Sequence, residues 1–263
     1  MLFSWLKNRR RRNILAEPFP DGWLEILHDQ VGHYELLVET DQKKVRDAVQ
    51  IMLAEKDWDG CRGLELTDEM RVTIAALAAI LIVRFDDFYF DNVVTILVYP
   101  NEFVVKEERA LIGGATVEEE SDRLGEAHYR GPVILSWAEI RENAIAPGYG
   151  QNLVFHEFAH QLDMLNGAFD GTPNLPTDEL AQRWAQIMDK AFRQLQDAER
   201  RWRETLLDPY GASDPAEFFA VATECFFDAP RAMQREYPAL YQLFRDYYRQ
   251  DPAGWPPFEI HSD

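Results

Sequence analysis

The chain has 263 residues, 46% of them hydrophobic and 28% charged, which excludes disorder over most of its length and leaves enough apolar material for a sizeable core. The formal net charge is −19, and Lys7, Arg9, Arg10, Arg11 and Arg12 stand in the first twelve residues with no acid among them, so the remainder carries −24. A body this acidic repels phosphates and argues against direct nucleic-acid binding; the charge serves solubility and also suits basic partners.

Residues 1–20 read as a basic lead-in ending at Pro18 and Pro20, with a frayed start and solvated charge. The order of charge and apolarity does not match a secretory signal. Residues 23–56 show helical spacing, with Val45, Val49, Met52 and Leu53 recurring at three- and four-residue intervals, and Gly60 and Gly63 end the pattern. Thr67 is a predicted N-cap, with Asp68 and Glu69 in the first turn, where the helix dipole favours acids. The helix it opens, to about Phe85, is apolar on most faces and is expected at the centre of the core. Its most apolar run, Ile74 to Val83, is too short to span a bilayer.

Val93 to Tyr99, β-branched and aromatic and stopped by Pro100, reads as a strand. Phe103 to Val105 reads as a short second strand, Gly113 and Gly114 as a turn, and residues 118–126 as an acidic surface loop. Val133 to Trp137 reads as a further strand, with a short helix over Ala138 to Asn143. Pro147, Gly148 and Gly150 form a loop into the next helix. Beyond that helix come a polar loop, Gly167 to Thr177, a long amphipathic helix from Asp178 to about Glu204, and a loop over Pro209 to Asp214. A helix to about Phe227, an aromatic helical stretch to about Gln250 and an irregular tail complete the chain. The two cysteines, Cys61 and Cys225, form neither a CxxC nor a disulfide framework and suit a reducing compartment.

The chemistry concentrates in Val154-Phe155-His156-Glu157-Phe158-Ala159-His160-Gln161-Leu162, which contains HExxH. Two histidines four apart on a helix lie on one face and reach one zinc ion, and Glu157 beside the first is placed to accept the proton of an attacking water. The alternative is a buried helix with two hydrogen-bonded histidines, but an acid between them serves no packing purpose. A zinc site of this kind needs a third protein ligand. A third histidine six residues after the second is absent: Asn166 stands there, and Asp163 where that pattern wants glycine. A carboxylate from a later helix is the other solution, and Glu217 and Glu224, seven apart, share a face. Glu217 also fits a capping box, with Asp214 as N-cap and Pro215 as first helical residue. Glu224 also fits a solvated acid or a partner of a ligating histidine. Asp163 suits either orienting a ligand or capping the following loop.

His156-Glu157-Phe158-Ala159-His160-Gln161-Leu162-Asp163, followed by Asp214-Pro215-Ala216-Glu217-Phe218-Phe219-Ala220, resembles the Mlc titration factor A family of bacterial zinc peptidases. The catalytic core of that family is similar to that of the anthrax lethal factor protease. The resemblance runs from the Arg-rich start to about Pro252 and includes the stretches Leu97 to Val104 and Tyr129 to Trp137. It implies one zinc per chain on His156, His160 and Glu217, with Tyr210, seven residues before Glu217, pointing into the site to stabilise an oxyanion. It also implies an aminopeptidase-like activity on short peptides and cytosolic binding of the glucose-responsive repressor Mlc.

The expected fold is α+β and mainly helical, a zincin-like metallopeptidase core with a small sheet beside the HExxH helix. The expected organisation is a lead-in over 1–20, one peptidase domain over 21–250 and a tail over 251–263. The expected protein is cytoplasmic, without stable membrane insertion. A rival reading makes it a repressor-binding regulator whose zinc site is structural or only weakly catalytic.

Overall fold

The structure is a computed structural model and describes residues 2–101, 131–146, 148 and 150–257, the first three in backbone only. The expected strand at Phe103 to Val105, the turn at Gly113 and Gly114, the acidic loop over 118–126 and Pro147 lie outside these residues.

The first third of the chain is helical: α1 (Leu2–Ile14), α2 (Asp21–Gln30), α3 (Gly32–Glu35) and α4 (Glu39–Glu55). Helices α2, α3 and α4 gather around α5 (Asp68–Ile82), whose residues from Val72 to Ile82 are all buried, and α1 packs on α4. That helix starts where the sequence predicts, with the Thr67 hydroxyl accepting from Met70 N at 3.3 Å. A surface apolar on most faces makes it the axis on which α2, α4 and the HExxH helix pack.

Three parallel strands, β1 (Asp57–Gly60), β2 (Thr95–Tyr99) and β3 (Val133–Ser136), form a sheet in the order β1-β2-β3. Ile96 pairs with Val133 and Tyr99 with Ser136. β1 was not predicted: Asp57-Trp58-Asp59-Gly60 has no β-branched residue, and only the ladder to β2 makes it a strand. β3 runs directly into α6 (Trp137–Ala144) and packs against α7 (Leu153–Asp163), which carries the HExxH motif.

A 3₁₀ turn, Met164–Asn166, and a loop lead to α8 (Asp178–Arg200), which buries Leu180, Trp184, Met188, Ala191 and Leu195 along one stripe. It ends four residues short of the predicted Glu204. After a 3₁₀ turn at Pro209–Ala212 come α9 (Pro215–Asp228), α10 (Pro230–Glu236) and α11 (Pro238–Tyr248). Stacking of Trp184 on Phe244, centroids 5.5 Å apart, and of Phe226 on Tyr248, at 5.6 Å, ties α8, α9 and α11 into one aromatic core. The molecule is mainly helical with a small parallel sheet beside the motif helix, as the sequence led us to expect.

The start of the chain differs from expectation. Residues 2–14 are helical, and Arg11 is 6% exposed. Its guanidinium donates to Glu55 at 2.7 Å and Asp91 at 2.5 Å and lies 4.5 Å from the Tyr89 ring centre. Lys7 pairs with Asp91 at 2.6 Å, and Arg10 donates to the Ala54 carbonyl at 2.9 Å. The basic segment docks on acids supplied by distant parts of the chain, which no local reading of charge reveals. Among the described residues no helix is long and apolar enough to cross a membrane.

Candidate metal centre

Helix α7 begins at Asn152, whose side-chain oxygen accepts from Phe155 N at 3.1 Å. Val154, Phe155, Phe158, Ala159 and Leu162 bury its other faces, with Phe158 edge-on to Phe90 at 4.7 Å and Phe155 against Phe227 at 5.2 Å. This packing fixes the rotation of the helix and turns His156 and His160 to α9.

Helix α9 begins at Asp214, which accepts from Ala216 N at 2.9 Å and Glu217 N at 3.0 Å, with Pro215 as its first residue. The cap is present, but Glu217 does not complete a capping box. Its side chain turns to the histidines, with Oε2 3.0 Å from His156 Nε2 and 3.5 Å from His160 Nε2. The two Nε2 atoms are 3.1 Å apart. Metal–nitrogen bonds of about 2.0–2.1 Å at tetrahedral angles place neighbouring ligand atoms about 3.4 Å apart. The three observed separations fall close to that value, and one carboxylate with two imidazoles is a donor set suited to a divalent transition ion. Among the described residues, His156, His160 and Glu217 are the three groups that converge in this way.

Glu224 stands behind His156. Its Oε1 is 2.7 Å from His156 Nδ1, and its Oε2 accepts from the Asn152 backbone N–H at 2.6 Å. An Nδ1–H donated to this buried carboxylate leaves the Nε2 lone pair directed at the cluster. Glu217, Glu224 and Asp228 follow at spacings of seven and four and line one stripe of α9. At the end of the stripe His33 Nε2 lies 2.8 Å from Asp228 Oδ1, both side chains being buried.

These contacts set the charges. Burial opposes a charge on His156, but Glu217 and Glu224 outweigh it and push the imidazole up to about 10, with the charge of Glu157 adding to the effect. Burial works against ionised Glu217 as well, yet its histidine partners hold it well below the usual carboxylate range. Burial pushes Glu224 up against the pull of His156 and the Asn152 amide.

Glu157 is half-buried and follows His156 on α7. Tyr210 lies in the 3₁₀ turn, its N–H donating to Asp208 at 2.8 Å; it is 58% exposed, with its ring 6.2 Å from that of His156. Of the residues singled out in the sequence, His156, His160 and Glu217 converge, Glu224 backs His156, and the Tyr210 ring lies near His156. Of the two readings of Asp163, the structure shows the loop cap. Its Oδ2 accepts from Gly171 N at 2.9 Å, and burial pushes its carboxyl up to about 6. Gly171 has φ +75°, and a Cβ there would stand 2.2 Å from the Pro215 carbonyl oxygen, so the loop closes directly on the start of α9. Sequence reading missed Phe169, whose ring lies 5.0 Å from that of His160, and Asp228, which the same seven-and-four spacing would have added to Glu217 and Glu224.

Residues 5–249 match the family described as the glucose-regulated metallo-peptidase M90 family. An uncharacterized protein of Synechocystis sp. is 38% identical over 249 residues, 94% of this chain and 90% of its own. Proteins described as Mlc titration factor A from Yersinia pestis (strain Pestoides F) and Yersinia pseudotuberculosis serotype O:1b are each 32% identical over 253 residues, 95% of this chain and 90% of theirs.

Proposed function

The chain belongs to the glucose-regulated metallo-peptidase M90 family, and from that premise we propose that it is a zinc-dependent, aminopeptidase-like enzyme with a zincin-like core. The observation that carries the reading is the convergence of His156, His160 and Glu217 with Glu224 behind His156. His156, His160 and Glu217 would hold one zinc ion, which supplies Lewis-acid polarisation of the scissile carbonyl and lowers the pKa of water.

The remaining steps belong to the protein's own side chains. Glu157 accepts a proton from the attacking water as the oxygen bonds to the carbonyl carbon, then delivers it to the amine nitrogen as the C–N bond breaks. The Tyr210 hydroxyl donates to the carbonyl oxygen as negative charge develops there. Glu224 keeps His156 in one tautomer and one orientation throughout.

The relatives described as Mlc titration factor A support a second role in the same protein, binding of the repressor Mlc, in keeping with a cytoplasmic setting. Hydrolysis of short peptides by the purified protein tests the first role. Activity is expected to vanish on chelation and return with stoichiometric zinc; activity that persists without metal contradicts it.

A further inference from the structure

The loop between α7 and α8 is polar in sequence but carries Phe169 beside the cluster. Asn166 donates to the Thr172 carbonyl at 2.6 Å and accepts from Ala168 N at 2.8 Å, and Asp170 accepts from Thr172 N at 3.0 Å. Gly171 is held from both sides, by Asp163 at its N–H and by the Trp184 indole N–H, which donates to its carbonyl at 2.9 Å. The polar side chains thus serve the loop's own backbone, and the loop is fixed to three helices. Phe169 is held half-exposed, its ring tilted 51° to that of His160. Tyr210 occupies the corresponding place beside His156.

A phenyl ring has no proton to exchange, so its effect on a reaction at the cluster is through apolar contact. A ring kept partly in water next to a candidate ligand gains by covering an apolar group of whatever binds there. Resting on the peptidase reading, we infer that Phe169 is a specificity-determining residue: its ring walls the cleft beside His160 and selects peptides with a large apolar side chain next to the scissile bond.

The test uses the full-length, zinc-loaded protein and a series of amino-acid hydroxamates (glycine, alanine, leucine and phenylalanine) whose affinities are measured by calorimetry. Wild type is expected to bind the leucine and phenylalanine compounds about 10-fold or more tightly than the glycine compound. Phe169→Ala is expected to reduce that preference to about twofold, with glycine hydroxamate affinity and zinc content unchanged. Phe169→Leu is expected to restore most of the preference. Phe169→Gln, close in size but polar, is expected to lose it, and this pair carries the test should the alanine variant fail to fold. The inference is overturned by equal affinities in wild type, by no hydroxamate binding, or by a uniform loss across the series, which would make the ring a shield for His160. Hydrolysis measured on the same samples separates the two readings: a hydroxamate preference that depends on Phe169, without peptide cleavage, overturns the peptidase reading alone.

Discussion

Glu224 joins two helices through one carboxylate, with Oε1 2.7 Å from His156 Nδ1 and Oε2 2.6 Å from the Asn152 backbone nitrogen one turn earlier. It therefore fixes the register of α7 against α9 and the tautomer of a candidate ligand together. Because it touches the outer nitrogen of His156 and Glu217 faces the inner one, the two carboxylates are expected to respond differently to removal of charge. Glu217→Gln should abolish stoichiometric zinc binding, and Glu224→Gln should weaken it by about 10–100-fold. Competition titration against a chromogenic chelator measures both affinities; the reverse order would exchange their roles.

Glu157 follows His156 on α7 and is the acid proposed to move protons. Glu157→Gln is expected to retain one zinc per chain and a wild-type melting profile while lowering kcat by roughly 100-fold or more. Metal analysis and turnover on the same preparation check it, and retained turnover would remove Glu157 from the mechanism.

Tyr210, exposed yet beside His156, is expected to act only as charge develops on the substrate. Tyr210→Phe should lower kcat with zinc content and KM nearly unchanged. An unchanged kcat would leave the ring as a wall of the cleft without a part in the chemistry.

The metal-free site is expected to carry a proton that zinc must displace. His156 is raised from 6.5 to about 10, so the stability from this shift is fully present below pH 6.5 and lost as pH rises through about 10. Glu217 is lowered from 4.5, so its contribution is present above pH 4.5 and lost as pH falls through its depressed value. Metal-free protein should gain most from the pair between pH 4.5 and 6.5. Zinc binding at pH 7 should release about one proton from His156, falling towards none above pH 10. Calorimetry in buffers of different ionisation enthalpy counts the protons; a release near zero at pH 7 would show that His156 is already neutral.

Arg11 tests the docking of α1. Its side chain is 8% exposed, that of Glu55 12% and that of Asp91 35%, so truncation leaves two acids that are only partly solvated. Arg11→Ala is expected to cost about 2–3 kcal/mol, somewhat less than breaking a fully buried pair, and exposed Arg12→Ala within about 0.5 kcal/mol. Urea denaturation of both variants measures the difference, and equal costs would mean that α1 is not integral to the fold.

Much of this arrangement was legible where local chemistry decides it. Thr67, Thr177 and Asp214 mark helix starts because a short oxygen-bearing side chain satisfies free backbone N–H groups wherever it stands. The HExxH motif was legible because a four-residue spacing on a helix is itself a geometry. The division of labour between Glu217 and Glu224 was not, since seven residues separate two positions on one face and only the approach of α7 decides which meets Nε2 and which Nδ1. The strand at Asp57–Gly60, the burial of Arg11 and the placement of Phe169 depend on partners 38, 44 or more, and nine residues away, beyond what periodicity encodes.

The carboxylate stripe of α9 has a practical side. Glu217, Glu224 and Asp228 meet imidazoles inside the protein, and the same helix carries Phe218, Phe219, Phe226 and Phe227 into the aromatic core. With neither an ion nor a protonated His156 to balance them, Glu217 and Glu224 would strain the seating of a helix on which the surrounding core depends. A chelator in alkaline buffer is thus expected to be harder on the fold than the same chelator in a mildly acidic one.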